Sequence, residues 1–279
     1  MSLNRVALMV SCYNRKEKTR GCLWSLKEQC KSAQNLSVDI YVFDDHSTDG
    51  TREMLNELFP EITVVEGNGN NFWCKSMYVL MKVASEREYD FYWMVNDDVS
   101  FYQDALYTMF HSYQKAGGIC GIVGTTRSSI TGMATYGGRD ELRGALLEPD
   151  SNLKGCRWAN WNCFLIDAEV LAKTGIIDGK YAHSWGDYDY SFRMVRKGIP
   201  IYIAEDYVGE CDTNSIKGSF QDATLKRSER LIKLISPKGI PFGSYIRFNM
   251  KTKGIKELPK AVYGYISIII YILMNKEIE

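Results

Sequence analysis

Phe91-Tyr-Trp-Met-Val95, followed at once by Asn96-Asp97-Asp98, is the stretch that decides how this chain is read. An unbroken apolar run, rich in aromatics, reads as a strand buried on both faces. Adjacent carboxylates at its carboxyl end do nothing for folding, because like charges repel and burying them unpaired is costly. A divalent cation is the common reason to hold such a pair, and carboxylate oxygens favour hard ions such as Mg²⁺ or Mn²⁺. The competing explanation is a helix cap, since the aspartates and Ser100 precede a helical stretch. A cap accounts for one carboxylate better than for both.

Outward from this stretch, strands and helices alternate. Arg5–Val10 reads as a strand, and Cys22, Leu23, Leu26 and Cys30 recur at helical spacing over 16–30. Val38–Phe43 is a second strand, ending in Asp44-Asp45-His46-Ser47. Thr48 or Asp49 caps a helix that runs to Phe59, where Pro60 stops it. Ile62–Val65 is a third strand, and a helix over 73–88 leads back to the 91–95 strand. Ile119–Val123 is a fifth. Such alternation implies right-handed crossovers and a mainly parallel α/β sheet flanked by helices. Ligands bind outside the carboxyl ends of such strands. There the polar loops 11–15, 44–47, 67–75 and 96–98 should converge.

Composition bounds what the chain can do. Its 279 residues are 45% hydrophobic and 24% charged, ordinary for a globular protein. Lys plus Arg and Asp plus Glu both number 34, so no basic field exists to draw nucleic acid. The N-terminal apolar stretch is too short for a secretion signal. Eight cysteines without metal-ligand spacing read as reduced packing thiols. Together these predict a cytoplasmic protein.

The second half is less regular. Glycines from Gly124 to Gly155 indicate loops and short hairpins. Asn162–Ile166 reads as a strand, 168–173 as a short helix, 191–197 as another, and Ile201–Ala204 as an edge strand. Beyond residue 222 the chain turns basic, through Arg247, Lys251, Lys253, Lys256 and Lys260, before the nearly apolar run 261–274. That run is shorter than the ~20 residues a membrane span needs. Two readings stay open for it, a packed final helix or a basic-flanked helix on an anionic membrane surface through 225–274.

The motifs, in order, resemble those of a family 2 glycosyltransferase of the GT-A fold. They are Ser11-Cys-Tyr-Asn-Arg15 after the first strand, Asp44-Asp45-His-Ser-Thr-Asp-Gly-Thr51 after the second, Asn96-Asp97-Asp98 after the fourth, and Gly186-Asp187-Tyr-Asp189 opening a helix. The resemblance covers about residues 5–212. It implies a GT-A domain over 1–220, its donor-binding half about 1–125 and its acceptor half about 126–220, followed by a helical tail over 221–279. It also implies an inverting enzyme that moves a hexose or deoxyhexose from a nucleoside-diphosphate sugar, UDP- or dTDP-linked, to an acceptor hydroxyl. Asp187 would be the general base and Asp98 the ligand of Mn²⁺ or Mg²⁺. Asn96 and Asp97 would face the ribose or assist the metal, and Asp45 would accept from the nucleobase with Tyr13 against its ring. Ser11, Arg15 and Lys75 would lie near the phosphates. Trp158, Asn160, Trp161, His183 and Trp185 would meet the acceptor, a glycan or lipid-linked glycan of surface polysaccharide or glycoconjugate assembly. With the tail, that places the protein at the inner face of the cytoplasmic membrane.

The chain also departs from the family. Asn96 stands where the first acidic residue is usual, Gly186 where many relatives carry Glu, and Val208–Asn214 lacks a metal-binding His, leaving Cys211 or Asp212 as substitutes. A phosphoacceptor receiver domain shares an acidic pair after a strand but is about half as long and leaves Asp187 without a role. A nucleotidyltransferase would want glycines in 11–15. The remaining rival is a catalytically inactive GT-A-fold protein that binds sugar or nucleotide.

Overall fold

The computed structural model describes residues 3–33 and 35–275. Strands β1 (Asn4–Cys12), β2 (Leu36–Asp44), β3 (Thr63–Glu66) and β4 (Phe91–Asn96) pair in parallel in the order β3-β2-β1-β4. Helices α1 (Lys16–Ser32), α2 (Thr51–Leu58) and α3 (Phe72–Ala84) form the crossovers. The 91–95 run is buried on both faces, as its composition requires. Phe91, Trp93 and Val95 pack with Leu23, Leu26 and Met109, while Tyr92 and Met94 pack with Met77 and Leu80 on the opposite side.

A two-residue strand β5 (Ser100–Phe101), helix α4 (Ala105–Ala116) and strand β6 (Gly121–Arg127) follow. The expected start of that strand at Ile119 moves to Gly121, since Ile119 holds a left-handed φ of 46°. The glycine-rich region gives β7 (Ala134–Tyr136), β8 (Gly138–Arg139), β9 (Gly155–Cys156) and β10 (Trp158–Ala159). Next comes β11 (Cys163–Asp167), which inserts antiparallel between β4 and β6. Because it runs against β4, it enters the sheet at the carboxyl edge, Cys163 opposite Val95. Asn162 O there accepts from Asn96 N at 3.0 Å. That reversal carries Asn160–Asn162 to the edge where Asn96–Asp98 stand.

Helices α5 (Ala168–Thr174) and α6 (Gly186–Arg196) lead to β12 (Ile201–Glu210). The expected edge strand 201–204 is therefore longer and not bare. It lies beside β6, and short β9 and β5 cover its outer side.

The chain ends in α7 (Arg227–Ile235), α8 (Phe242–Lys253) and α9 (Leu258–Leu273). Phe248 of α8 is buried against Trp185, ring centroids 4.7 Å apart. Arg247 and Lys251, read from sequence as part of the basic run before the apolar tail, are ion-pair partners within the chain. Arg247 lies 2.6 Å from Asp178, and Lys251 lies 2.7 Å from Asp178 and 2.8 Å from Asp189. Burial works against ionising Asp178, yet its bonds to Lys251 and Arg247 prevail and hold it near 2. Helix α9 buries Ala261, packs Tyr265 and Ile272 with Leu234 of α7, and leaves Tyr263, Ile266 and Ile270 exposed. No described helix is long and apolar enough to cross a membrane.

Candidate active site

A cavity of about 530 Å³ opens at the carboxyl edge of the sheet, where the polar loops were expected to meet. The first strand's loop contributes Ser11, Tyr13 and Arg15, the second Asp45, and the fourth Asn96, Asp97 and Asp98. Arg15 Nη1 bridges the acidic pair, 3.1 Å from Asp97 Oδ1 and 2.8 Å from Asp98 Oδ2. Thr19 Oγ1 donates to the other Asp97 oxygen at 3.1 Å. Burial raises the Asp97 carboxyl to about 6 despite the opposing Arg15 charge. Asp98 Oδ1 is buried with no hydrogen-bond partner.

Asp45 is fully engaged. Oδ1 accepts from Gly69 N at 3.0 Å and Asn71 Nδ2 at 2.9 Å. Oδ2 accepts from Asn71 N at 2.9 Å and Phe72 N at 3.0 Å, at the start of α3. A carboxylate offers about four lone-pair sites, and these donors fill them. The loop folds this tightly because residue 67 is glycine, whose missing Cβ would lie 2.4 Å from Asp45 Oδ1. In the same wall, Asn96 Oδ1 accepts from Trp73 Nε1 at 2.8 Å.

A second wall holds Asp187, in the first turn of α6. Asp187 Oδ1 accepts from Tyr188 N at 2.9 Å, and Asn160 Nδ2 stands 3.5 Å from Oδ2. Burial raises this carboxyl to about 6. Gly186, a departure from the family, has a local cause: a Cβ there would lie 2.2 Å from Cys74 Sγ on α3. Trp161, His183 and Trp185 also line this wall, and Trp161 Nε1, His183 Nδ1 and Trp185 Nε1 are buried without partners. Burial lowers His183 to about 4, helped by the charges of Lys238 and Arg15, so its imidazole is neutral at pH 7.

Two expected site residues lie elsewhere. Lys75 is exposed on α3 and does not line the cavity. Trp158 stacks on Phe192 and packs against Phe248, behind the cavity wall. Sequence reading missed Lys238, which enters the lining from the turn between α7 and α8, together with Asn214 and Ser215. A Pro-Lys-Gly turn marks Lys238 as a loop residue, but nothing in its neighbours ties it to a distant sheet edge.

Of the substitutes for a metal-binding His, Asp212 turns away, 2.6 Å from Ser128 Oγ and 2.8 Å from Ser129 Oγ. Cys211 Sγ is 3.6 Å from Asn162 Nδ2. Among the described residues no group of three His, Cys, Asp or Glu is arranged to hold a metal. What fits is a cation with Asp98 as its one protein carboxylate, since Asp98 Oδ1 lacks a partner. Mg²⁺-type ions commonly rely on one or two carboxylates plus substrate phosphates.

Residues 7–175, well over half the chain, match the sequence pattern of glycosyl transferase family 2. The chain belongs to that family. No curated protein sequence matches it. Among solved structures, mannosyltransferase PcManGT from Pyrobaculum calidifontis, in complex with GDP-Man and Mn²⁺, superposes with TM-score 0.57 at 14% identity, over 100% of this chain and 77% of that one. S. aureus TarS 1-349 in complex with UDP gives 0.58 at 14% identity, over 95% and 81%. Its complex with UDP-GlcNAc gives 0.55 at 14% identity, with the same coverage. The shared architecture is the GT-A fold, as this family 2 chain's motif order implied.

Proposed function

We propose that this family 2 member is an inverting transferase that moves a hexose or deoxyhexose from a nucleoside-diphosphate sugar to an acceptor hydroxyl. The observation that carries the reading is Asp187, a buried carboxylate raised to about 6, lining the same cavity as the paired Asp97 and Asp98. A base needs a pKa close to working pH and room for a hydroxyl beside it. Asp187 Oδ2, 3.5 Å from Asn160 Nδ2, takes the acceptor's proton as the hydroxyl oxygen attacks the anomeric carbon. The bond from that carbon to the diphosphate oxygen breaks on the opposite face, its electron pair leaving with the diphosphate, so the centre inverts. A divalent cation, Mn²⁺ or Mg²⁺, on Asp98 and the diphosphate would offset that departing charge.

Tyr13, at the cavity mouth, packs on the nucleobase of a UDP- or dTDP-linked donor, and Asp97 with Asn96 faces the ribose. A nucleobase N–H meets Asp45 by replacing one of its present donors. Ser11 and Arg15 lie on the phosphate side. Trp161 Nε1, His183 Nδ1, Trp185 Nε1 and Asn160 supply hydrogen bonds to acceptor hydroxyls. The acceptor is a glycan of surface polysaccharide or glycoconjugate assembly, carried on lipid, and the site operates at the inner face of the cytoplasmic membrane. Helix α9 supports this, with Tyr263, Ile266, Ile270 and Leu273 exposed along it and Lys253, Lys256 and Lys260 exposed on the approach to it and in its first turn.

The experiment is a thermal-shift screen of UDP-, dTDP- and GDP-sugars with and without Mn²⁺, followed by hydrolysis and transfer assays. One donor family should stabilise the protein in a metal-dependent way and turn over, and chelator should abolish turnover. Metal-independent transfer would refute the part given to Asp98. Binding of a donor without turnover under any condition would assign the chain to inactive sugar-nucleotide binders.

A further inference from the structure

A nucleoside diphosphate brings two or more negative charges into a cavity already walled by carboxylates, so the protein's own cations matter. Arg15 is spent on Asp97 and Asp98. Lys75 points outside, and His183 is held neutral by its burial. Lys238 remains. It lines the cavity, and among the described residues it has neither a hydrogen bond nor an ion pair. Its charge bears on the His183 imidazole, which lines the same cavity.

The turn that carries Lys238 is fixed. Gly239 N donates to Ser236 O at 2.9 Å, Ile240 N to Leu234 O at 2.7 Å, and Ser236 Oγ to Lys233 O at 2.7 Å. Only glycine fits after the lysine, because a Cβ at 239 would sit 2.1 Å from Lys233 O. Leu234 below it is fully buried, and Tyr265 Oη donates to Ile240 O at 2.8 Å from α9. The C-terminal helices therefore hold an unpaired ammonium at the cavity.

We propose that Lys238 binds the diphosphate of the donor, making the segment after residue 220 part of the donor site. This rests on the transferase reading above. A lysine suits the task, as a compact point charge with several donors and a flexible stem. A charge-assisted bond of this kind is worth about one order of magnitude or more in affinity.

The test is isothermal titration of the full chain with UDP, dTDP, GDP and inorganic pyrophosphate, in Mn²⁺, for wild type, Lys238→Ala and Lys238→Arg. Lys238 is exposed, so Lys238→Ala should melt with the wild type. The diphosphate that binds wild type should bind Lys238→Ala about tenfold or more weakly, and Lys238→Arg should recover most of the loss. Equal affinity in wild type and Lys238→Ala overturns the role of Lys238 and leaves the transferase reading standing. Failure of the wild type to bind any of these diphosphates removes both.

Discussion

The cavity's two walls are built on opposite principles. On the wall formed by β1, β2 and β4, charged groups satisfy one another except at Asp98 Oδ1: Arg15 bridges Asp97 and Asp98, and four donors fill Asp45. On the wall formed by β11 and α6, Trp161, His183 and Trp185 bury polar atoms with no partner, beside a carboxylate raised by its own burial. An unsatisfied buried donor costs about 1–3 kcal/mol, so such a wall calls for water or a ligand to complete it. The first wall is preorganised by the fold. The second, on the function proposed, would trade stability for hydroxyl recognition.

The largest expected effect tests the second wall at its centre. Asp187→Asn keeps shape but cannot take a proton, and transfer should fall by about 10²–10⁴. Donor affinity, measured by titration, should stay within about twofold. An undiminished rate removes Asp187 as base. Its pKa also sets a pH dependence. A carboxyl raised to about 6 is protonated below that pH and cannot act as base, so kcat/KM should climb with pH up to about 6 and then level. The same group weakens the fold as it ionises, since its folded pKa lies above the unfolded one.

A paired experiment then sets one wall against the other. Asp45→Ala strips the acceptor from backbone N–H groups of Gly69, Asn71 and Phe72, and should cost about 2–4 kcal/mol of stability by denaturant titration. His183→Leu removes a nitrogen that has no partner, so stability should move by less than about 1 kcal/mol while acceptor-dependent kcat/KM drops about tenfold. If His183→Leu proves the more destabilising of the two, the contrast between the walls is wrong.

The same division explains what could be read from residues alone. The first wall was legible because it rises from consecutive βα units, where an apolar run ending in Asp45 or in Asn96-Asp97-Asp98 announces strand and site together. Asp187 was legible only through its family-like motif. The placement of Trp161 depends on β11 running antiparallel between β4 and β6, and nothing in Cys163–Asp167 encodes direction. Lys75 and Trp158 were misplaced for a similar reason. Sequence spacing brings each near the right element, but which face it takes is settled by tertiary packing, with Trp158 drawn to Phe192 and Phe248. Lys238 lay outside every motif, and Arg247 and Lys251 read only as part of a basic run, with nothing in sequence tying them to Asp178 and Asp189.

The smallest expected effect concerns a third surface, which neither wall uses. Helix α9 is nearly all apolar beyond Lys260, and a helix of that kind is normally covered. Tyr265 and Ile272 are covered by α7 and α8, whereas Ile266 is 47% and Ile270 48% exposed. If an anionic bilayer covers that face, Ile266→Ser with Ile270→Ser should lower co-flotation with phosphatidylglycerol vesicles severalfold, from the ~25 cal/mol per Å² lost at each side chain. Raising salt should add to the loss, because Lys253, Lys256 and Lys260 screen with ionic strength. Transfer to a soluble acceptor should not change, since neither isoleucine lines the cavity. Unaltered flotation would leave the face to a protein contact, and a concentration-dependent shift in sedimentation of the wild type, absent in the double variant, would identify that contact as a second copy of the chain.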